Sequence, residues 1–333
     1  MNIYTKAEAI SIMNKWSNLK IPFLFIIDYE IENVHIIALD KVDPNSCLFD
    51  FNGINNIPDN YNYKYQVLNK EVSWNIYPDS LLKYESKFNS VINSLKRGDS
   101  FLTNLTAKTE IETNLSLDEI FIFSKAKYKL LIKDKFCSLS PESFIKIIDN
   151  KIYSYPMKGT IDADIKDAAS VILNDNKERA EHATIVDLIR NDLSIISKDV
   201  KVDEYRYIDK IKTNKGDILQ VSSCISGYVV NPENLNLGNI LFSLIPAGSI
   251  CGAPKTKTLE IIKNSEKEKR GYYTGVAGIF DGRNVDSAVL IRSIEKDKDN
   301  KLWFRSGGGI TAKSSLENEY KELIQKVYLP ILS

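Results

Sequence analysis

One lysine lies in a short segment whose neighbours could prepare a side chain for chemistry. Lys158 occurs in YSYPMKGTID, residues 153–162, where Pro156 ends an apolar, strand-forming stretch and Gly159 allows the backbone to turn. A lysine amine is a nucleophile only when uncharged, and at its usual pKa roughly one in a few thousand is neutral at pH 7. The segment therefore predicts either an ordinary solvated lysine or one held in a cleft with a lowered pKa.

Two pairs of glutamates have the spacing of neighbours on a helix. Glu178 and Glu181 lie on one predicted helix, and Glu319 and Glu322 lie on the last one. Residues at i and i+3 share a helix face, so each pair presents two carboxylates in one direction. Either pair alone is also typical of a solvated surface. A cation between the two helices would offset the repulsion, and Mg²⁺ accepts such oxygen ligands while keeping several waters.

Three glycine-rich stretches could bind anions through free backbone amides. Each is predicted to lie beside a helix start or on a strand-like run, and amides at a helix N-terminus attract negative charge. None has the spacing of a Walker phosphate loop, and each alone could be a plain turn. Together they predict a site for a compact ligand with several negative charges. The stretches are SGGGIT (306–311), PAGSICGAPK (246–255) and RGYYTGVAGIFDG (270–282).

The hydrophobic pattern predicts the elements that must position these residues. Strand pairs interrupted by helices indicate an α+β fold with much antiparallel sheet, and no break divides the chain into domains. The predicted helices cover about 5–18, 79–96, 166–197, 236–244, 255–268 and 314–328. The predicted strands cover about 22–30, 33–40, 64–77, 100–112, 144–150, 151–157, 200–208, 217–230, 272–280, 286–296 and 301–310, with a loop over 43–61.

The composition narrows the class of protein. Of 333 residues, 43% are hydrophobic, and Lys plus Arg equal Asp plus Glu at 44 each. A balanced charge gives no general attraction to nucleic acid or to a membrane surface, so we expect neither partner. The longest apolar run, IPFLFII, is too short to span a bilayer, and the N-terminus is polar. Four scattered cysteines without a CxxC motif indicate a reduced, cytoplasmic protein.

Taken together, the motifs resemble those of the chorismate-utilising enzymes. PMKGT, EHATIVDLIRNDLS, PAGSICGAPK, GYYTGVAG, SAVLIRS and SGGGITAKSSLENEYKE occur in that family's order, from about residue 80 to the end. The resemblance implies two large, mostly antiparallel β-sheets packed face to face with helices outside. It also implies a single catalytic domain, 1–333, with an N-terminal part at 1–80 and the motif region at 81–333.

The resemblance also implies a reaction. Aminodeoxychorismate synthases carry lysine where Lys158 stands, whereas anthranilate synthases carry alanine. By analogy, Lys158 adds to C2 of chorismate and expels the C4 hydroxyl, and ammonia then attacks C4 and displaces the lysine. The product, 4-amino-4-deoxychorismate, leads to para-aminobenzoate and folate. Glu142 of LSPESF would protonate the leaving hydroxyl, which requires a raised pKa; a surface carboxylate at a strand end is the alternative. A separate glutaminase subunit would supply the ammonia.

The same resemblance suggests how the two carboxylates of chorismate are held. Mg²⁺ would bind the ring carboxylate, with Glu181 and Glu322 as direct ligands and Glu178 and Glu319 acting through water. Arg292 would meet the enolpyruvyl carboxylate, since its planar fork suits a carboxylate. The further substrate-binding residues implied are Thr160, Tyr273, Gly275, Gly308, Gly309 and Lys326. Lys326 could equally form an ordinary i,i+4 salt bridge with Glu322.

Two positions depart from the family pattern. Gln220 stands where many members have histidine, although glutamine is also common in the aminodeoxychorismate branch. Leu102 stands where isochorismate-forming enzymes place a water-activating lysine, which argues against hydration at C2. The other functions considered are an anthranilate synthase component I, a catalytically silent chorismate-binding subunit, and a Mg-nucleotide binder, for which the sequence lacks a Walker or Rossmann motif.

Overall fold

The structure is a computed structural model that describes residues 1–59, 61, 71–213 and 216–330. Its helices are α1 (Lys6–Asn18), α2 (Leu81–Lys96), α3 (Leu117–Phe123), α4 (Ala168–Asn174), α5 (Asn176–Ile196), α6 (Leu237–Leu244), α7 (Lys255–Glu266) and α8 (Leu316–Gln325). Its strands are β1 (Phe23–Ile27), β2 (Val34–Ala38), β3 (Cys47–Phe51), β4 (Ile54–Asn55), β5 (Trp74–Pro78), β6 (Leu102–Thr113), β7 (Tyr128–Ile132), β8 (Phe136–Ser140), β9 (Ser143–Ile148), β10 (Lys151–Ser154), β11 (Met157–Asp162), β12 (Ser197–Thr213), β13 (Gly216–Val229), β14 (Gly252–Ala253), β15 (Val276–Phe280), β16 (Val285–Val289), β17 (Ser293–Lys296) and β18 (Leu302–Ile310).

The strands form two large sheets, and neighbouring strands within each sheet pair in antiparallel fashion. Sheet A has the order β11-β13-β10-β9-β16-β15-β1-β2, with β12 also paired to β13. Sheet B has the order β14-β6-β18-β17-β8-β7-β3-β4, with β5 also paired to β6. The predicted fold of two large antiparallel sheets with helices is therefore confirmed.

One face of each sheet packs against the other sheet. Leu24 and Ile26 of β1 belong to the same buried cluster as Phe49 of β3 and Leu130 of β7, so this core lies between the sheets. The alternate residues of β1 belong to a second core that includes residues of α1, α5 and α6. Because β1 is buried on both faces, it has the continuous apolar run seen in the sequence instead of an alternating one.

The N-terminal part is built into both sheets. Strand β1 lies between β15 and β2 in sheet A, whereas β3, β4 and β5 belong to sheet B. The division at residue 80 stays a prediction, and the pairings across it show that 1–80 supplies strands to the same two layers as the rest. The four cysteines are free thiols. Within the described ranges, no helix combines the length and apolar character needed to cross a membrane.

Several predicted elements were wrong. The predicted loop over 43–61 contains β3, which is paired along its length with β7. Residues 117–140, for which no element was predicted, form α3, β7 and β8; short apolar runs of this kind do not distinguish strand from helix by period. Part of the predicted strand over 64–77, residues 64–70, lies outside the described residues.

The predicted strand over 286–296 is in fact two strands in different sheets. The chain leaves sheet A at the end of β16 and enters sheet B with β17, and Arg292 lies between them with a φ of 52°. A second crossing runs from β8 of sheet B to β9 of sheet A, with Glu142 between them. Hydrogen bonds join the two crossings: the Val289 amide donates to the Glu142 carbonyl (3.2 Å), and the Leu139 amide donates to the Arg292 carbonyl (3.1 Å).

A buried ion pair supports the end of sheet B beside these crossings. Arg270 donates to both carboxylate oxygens of Glu266, at 2.7 and 2.9 Å, and each side chain is only 1% exposed. The amide and hydroxyl of Thr106 in β6 also donate to Glu266. The carboxylate therefore supplies hydrogen-bond acceptors that no neighbouring strand provides at this point.

We expect Arg270→Met to lower the free energy of unfolding by about 3–5 kcal/mol, because it leaves the Glu266 charge buried without its partner. Lys269→Met, which removes the adjacent but exposed pair with Glu32, should cost less than about 1 kcal/mol. Guanidinium unfolding of both variants measures the difference. Equal losses of unfolding free energy in the two variants would contradict the conclusion that the buried pair matters more than the exposed one.

Candidate active site

Lys158 lies on β11 at the edge of sheet A, beside the N-terminal part of α5. The predicted turn is instead a strand irregularity: the register between β11 and β13 shifts between Met157 and Thr160, and Gly159 has a φ of +81°. A side chain there would be strained, and a Cβ would lie 2.9 Å from Oε2 of Glu178. The Lys158 side chain is 26% exposed, and its Nζ lies 2.9 Å from Oε2 of Glu181.

Three of the four glutamates lie close to the glycine segment of β18, Gly307–Gly309, and Glu178 lies close to Gly159 of β11. Glu178 and Glu181 lie on α5, and Glu319 and Glu322 on α8, as predicted. A Cβ on Gly308 would lie 3.4 Å from Oε2 of Glu319 and 3.7 Å from Oε1 of Glu322. A Cβ at this position would therefore be in van der Waals contact with both carboxylates.

Gly309, the next residue of the strand, also borders the charged side chains. A Cβ there would lie 3.1 Å from Nζ of Lys158 and 3.8 Å from Oε2 of Glu181. The prediction that this glycine run precedes a helix start with free amides was wrong. The glycines are inside β18, where Gly308 pairs with Leu105, and α8 begins six residues after the strand ends, at Leu316. Their contribution is the absence of side chains.

Lysines compensate the charge of these carboxylates. Lys158 contacts Glu181, whereas Lys326 donates to Oε1 of Glu322 and to the Gly307 carbonyl, at 2.7 and 2.8 Å. The i,i+4 salt bridge considered for Lys326 is thus present, and the same ammonium is also tied to the glycine strand. Lys177 lies between the two helices, with its Nζ 3.5 Å from Oε1 of Glu319 and 3.8 Å from Oε1 of Glu181.

This arrangement changes the expected pKa of Lys158. Burial acts to lower the pKa, as the sequence analysis expected, but Glu181, Glu178 and Glu322 outweigh burial and raise the pKa of Lys158 above its usual value. Without a metal cation bound to these carboxylates, Lys158 is therefore an ammonium. A cation that neutralised the carboxylates would remove the interaction that holds the proton on Lys158.

The cluster has the donor set of a site for a hard divalent cation. Glu181 and Glu319 are 6% and 4% exposed, and Oε1 of Glu181 is buried without a hydrogen-bond partner. Among the residues that the structure describes, no three His, Cys, Asp or Glu side chains are already grouped at metal-binding distances. The carboxylate oxygens fit Mg²⁺ in type, and Glu178, Glu181, Glu319 and Glu322 would hold it.

Glu142 lies at the crossing from sheet B to sheet A and is partly buried. Ser249, in the loop before β14, donates a 2.5 Å hydrogen bond to its Oε1. Burial raises the pKa of Glu142, although the Ser249 hydrogen bond and the charges of Lys158 and Arg292 oppose the shift. A carboxyl with a raised pKa can keep a proton to donate near neutral pH. Ser249 was not among the predicted site residues, because the glycines of PAGSICGAPK were its only recognised signal.

Arg292 lies at the crossing from β16 to β17, and its charge acts on both Glu142 and Tyr273. Arg292 has a buried Nε without a hydrogen-bond partner, and its guanidinium lies 5.2 Å from the ring centroid of Tyr328. Tyr273 is 5% exposed, and burial raises its pKa to about 12 against the effect of nearby arginines. An arginine with an unpartnered donor next to a neutral phenol is suited to receiving a carboxylate.

Gly275 and Thr160 are the remaining residues predicted to bind substrate. The Gly275 amide donates to the Tyr272 carbonyl at 3.0 Å, so it is engaged within the protein. A Cβ on Gly275 would lie 2.3 Å from the Ile27 carbonyl oxygen, so close packing requires this glycine. Thr160 is exposed and is paired with Gln220 in the sheet. Contacts of Thr160 and Gly275 with substrate stay predictions.

Leu102 and His182 are two further neighbours of the carboxylate cluster. Cδ1 of Leu102 would lie 2.9 Å from a Cβ on Gly309, so this apolar side chain borders the cluster and offers no base to activate water. His182 follows Glu181 on α5 but is 1% exposed, and its Nε2 lies 2.7 Å from the Ser223 hydroxyl. Burial lowers the pKa of His182 to about 4, so this side chain is a neutral imidazole packed inside the protein at neutral pH.

The fold and this cluster define the class of protein. Residues 55–331 match the chorismate binding enzyme family, and the chain belongs to that family. An uncharacterized PabA-like protein of Pasteurella multocida (strain Pm70) is 46% identical over 318 residues, which are 96% of this chain and 97% of that protein.

Two further relatives carry more specific names. Aminodeoxychorismate synthase component 1 of Escherichia coli (strain K12) is 32% identical over 262 residues, covering 74% of this chain and 56% of that protein. The crystal structure of anthranilate synthase component I from Streptococcus pneumoniae TIGR4 has a TM-score of 0.66 and 25% identity, covering 78% of this chain and 59% of that chain. The family thus includes proteins named for different reactions of chorismate.

We expect Ser249→Ala to raise the pKa of Glu142 further, because the hydroxyl stabilises the ionised carboxylate by donating to it. The protonated carboxyl should then persist to higher pH. The Glu142 carbonyl band, assigned in the infrared difference spectrum against Glu142→Gln, can be followed through a pH titration.

Ser243→Ala is the matched control, because that hydroxyl donates to the Ile240 carbonyl within α6. It should leave the titration unchanged. A Ser249→Ala titration that moves to lower pH would show that the serine acts on the carboxyl in the opposite sense.

Proposed function

We propose that the chain is an aminodeoxychorismate synthase component I, which converts chorismate and ammonia into 4-amino-4-deoxychorismate. The observation that carries the proposal is the position of Lys158, whose Nζ lies 2.9 Å from Glu181 in the four-glutamate cluster. A surface lysine would have no such surroundings. The 32% identity with the Escherichia coli protein of that name supports the same activity.

In the first half of the reaction, the uncharged amine of Lys158 forms a bond to C2 of the ring. The two ring double bonds shift, and the bond between C4 and the hydroxyl oxygen breaks. Glu142 gives its proton to this oxygen, so the group leaves as water. Burial favours the protonated carboxyl that this step requires.

In the second half, ammonia forms a bond to C4 and the double bonds shift back. The bond between C2 and the lysine nitrogen breaks, and its electron pair returns to Lys158. One proton of the nitrogen now bound to C4 passes to Glu142, so that both Lys158 and Glu142 are regenerated for the next turnover. The partly buried position of Lys158 limits the water that could compete with ammonia at C4.

Two groups of residues would hold the two carboxylates of chorismate. Arg292 and Tyr273 would bind the enolpyruvyl carboxylate, because the buried Nε of Arg292 has no hydrogen-bond partner among the described residues. Glu178, Glu181, Glu319 and Glu322 would hold Mg²⁺, which when bound supplies positive charge for the ring carboxylate. Lys326, tied to the Gly307 carbonyl, adds positive charge at the same strand.

Anthranilate synthase component I is the second candidate, favoured by the structural similarity to the Streptococcus pneumoniae enzyme. It would use the same cation site and the same substrate. That activity gives no role to an amine at position 158, and the proximity of Lys158 to Glu181 and Gly309 favours the first candidate.

We expect the purified chain, given chorismate, ammonium and Mg²⁺, to form 4-amino-4-deoxychorismate. Both Lys158→Ala and Lys158→Arg should lower the rate by about three orders of magnitude or more, because neither side chain can act as the nucleophile. Lys158→Arg keeps the charge beside Glu181 and so separates loss of the nucleophile from loss of the ion pair. Mass spectrometry of the products measures both identity and rate.

Lys166→Ala is the matched control, since Lys166 is exposed on the segment after β11 and should keep full activity. Anthranilate as the product would establish the second candidate. Full turnover by Lys158→Arg would exclude the covalent step.

A glutaminase subunit is the proposed source of ammonia, and the chain alone should therefore use ammonium salts but not glutamine. Adding a purified glutaminase component of this family should allow glutamine to replace ammonium. Product formation with each nitrogen donor, with and without that component, tests this. Glutamine-dependent turnover by the chain alone would contradict the need for a partner.

A further inference from the structure

Lys177 joins the two carboxylate pairs across the gap between α5 and α8. Its Nζ lies 3.5 Å from Oε1 of Glu319 and 3.8 Å from Oε1 of Glu181. These are the two most buried carboxylates of the cluster, with side chains 3% and 6% exposed. Two such charges repel each other strongly where water is excluded, so an ammonium between them stabilises their approach.

The three lysines of the cluster are not held equally. Lys158 and Lys326 have side chains 26% and 27% exposed and make contacts of 2.7–2.9 Å. Lys177 is 49% exposed, and both of its contacts are long. Its Nζ can therefore leave the carboxylates for water at small cost, because the side chain already reaches solvent.

The geometry excludes Lys177 from its present position once a divalent cation binds these oxygens. Mg²⁺ binds oxygen at about 2.0–2.1 Å and repels a neighbouring ammonium. Oε1 of Glu181 is already buried without a hydrogen-bond partner, so it is free to become a ligand. The Lys177 ammonium lies 3.5–3.8 Å from the same Oε1 atoms of Glu181 and Glu319, so it would compete with a cation bound by these carboxylates.

We propose that Lys177 is a displaceable counter-ion, which holds the carboxylates of α5 and α8 together before a divalent cation binds and is expelled by it. The inference rests on the cation site of the proposed function, but not on which product is made. Lys177 thereby weakens cation binding and prevents mutual repulsion from separating the two helices in the cation-free protein.

Cation binding to the full chain without chorismate tests this directly. Free Mn²⁺ can be counted by electron paramagnetic resonance, and Mg²⁺ binding can be measured by calorimetry. Lys177→Met and Lys177→Gln should bind either ion about three- to ten-fold more tightly than the natural chain, because the competing ammonium is gone. Lys177→Arg keeps a competing charge and should remain within about two-fold of the natural chain.

Lys321→Met is the matched control, because Lys321 is exposed on α8 and its removal changes the net charge equally. It should change the affinity by less than about two-fold, as expected for a screened surface charge. Without added cation, Lys177→Met should also melt at a lower temperature than Lys321→Met, and saturating Mg²⁺ should remove that difference.

Unchanged or weaker cation binding by both Lys177→Met and Lys177→Gln would overturn the proposal, as would equal gains in Lys321→Met. Failure of every variant and of the natural chain to bind either ion at millimolar concentration would also overturn it. A chain that forms anthranilate but shows the expected affinity changes would contradict the proposed product and leave the role of Lys177 supported.

Discussion

Four buried or half-buried carboxylates at one place in the molecule create a repulsion that the rest of the site must compensate. Gly308 and Gly309 border this cluster: a Cβ on Gly308 would touch Glu319 and Glu322, and a Cβ on Gly309 would crowd Nζ of Lys158 at 3.1 Å. Lysines then supply the positive charge, from β11, from α5 itself and from the end of α8. The glycine at position 309 thus leaves room for Lys158 to meet Glu181 at contact distance.

The same electrostatics connect the cation to the chemistry proposed for Lys158. An amine cannot be both an ammonium that stabilises Glu181 and an uncharged nucleophile. In the arrangement described, the carboxylates hold a proton on it. A divalent cation shared by those carboxylates would compensate them instead and leave the amine free to lose its proton. In the proposed reaction, charge compensation would therefore determine when the lysine can react.

The groups at the other end of the site depend on how the chain moves between sheets. Glu142 and Arg292 lie at two neighbouring crossings between the sheets, and the backbones of these crossings hydrogen-bond to each other. Tyr273 lies just before β15 of sheet A. These residues need burial without being part of a regular strand. At these crossings the backbone carbonyls of Glu142 and Arg292 still have partners, because they accept from the Val289 and Leu139 amides.

The sequence by itself determined the glutamate pairs on their helices, the glycine run and the motif around Lys158, because spacing along one element fixes which side chains share a face. Its strand pattern also indicated much antiparallel sheet, and the family resemblance implied two large sheets. It did not show that β16 and β17 belong to different sheets, or that Ser249 and Lys177 complete the site. Only the tertiary structure decided those points. Distances between residues far apart in the chain, and the burial that sets their pKa values, depend on how the layers pack, which local periodicity does not encode.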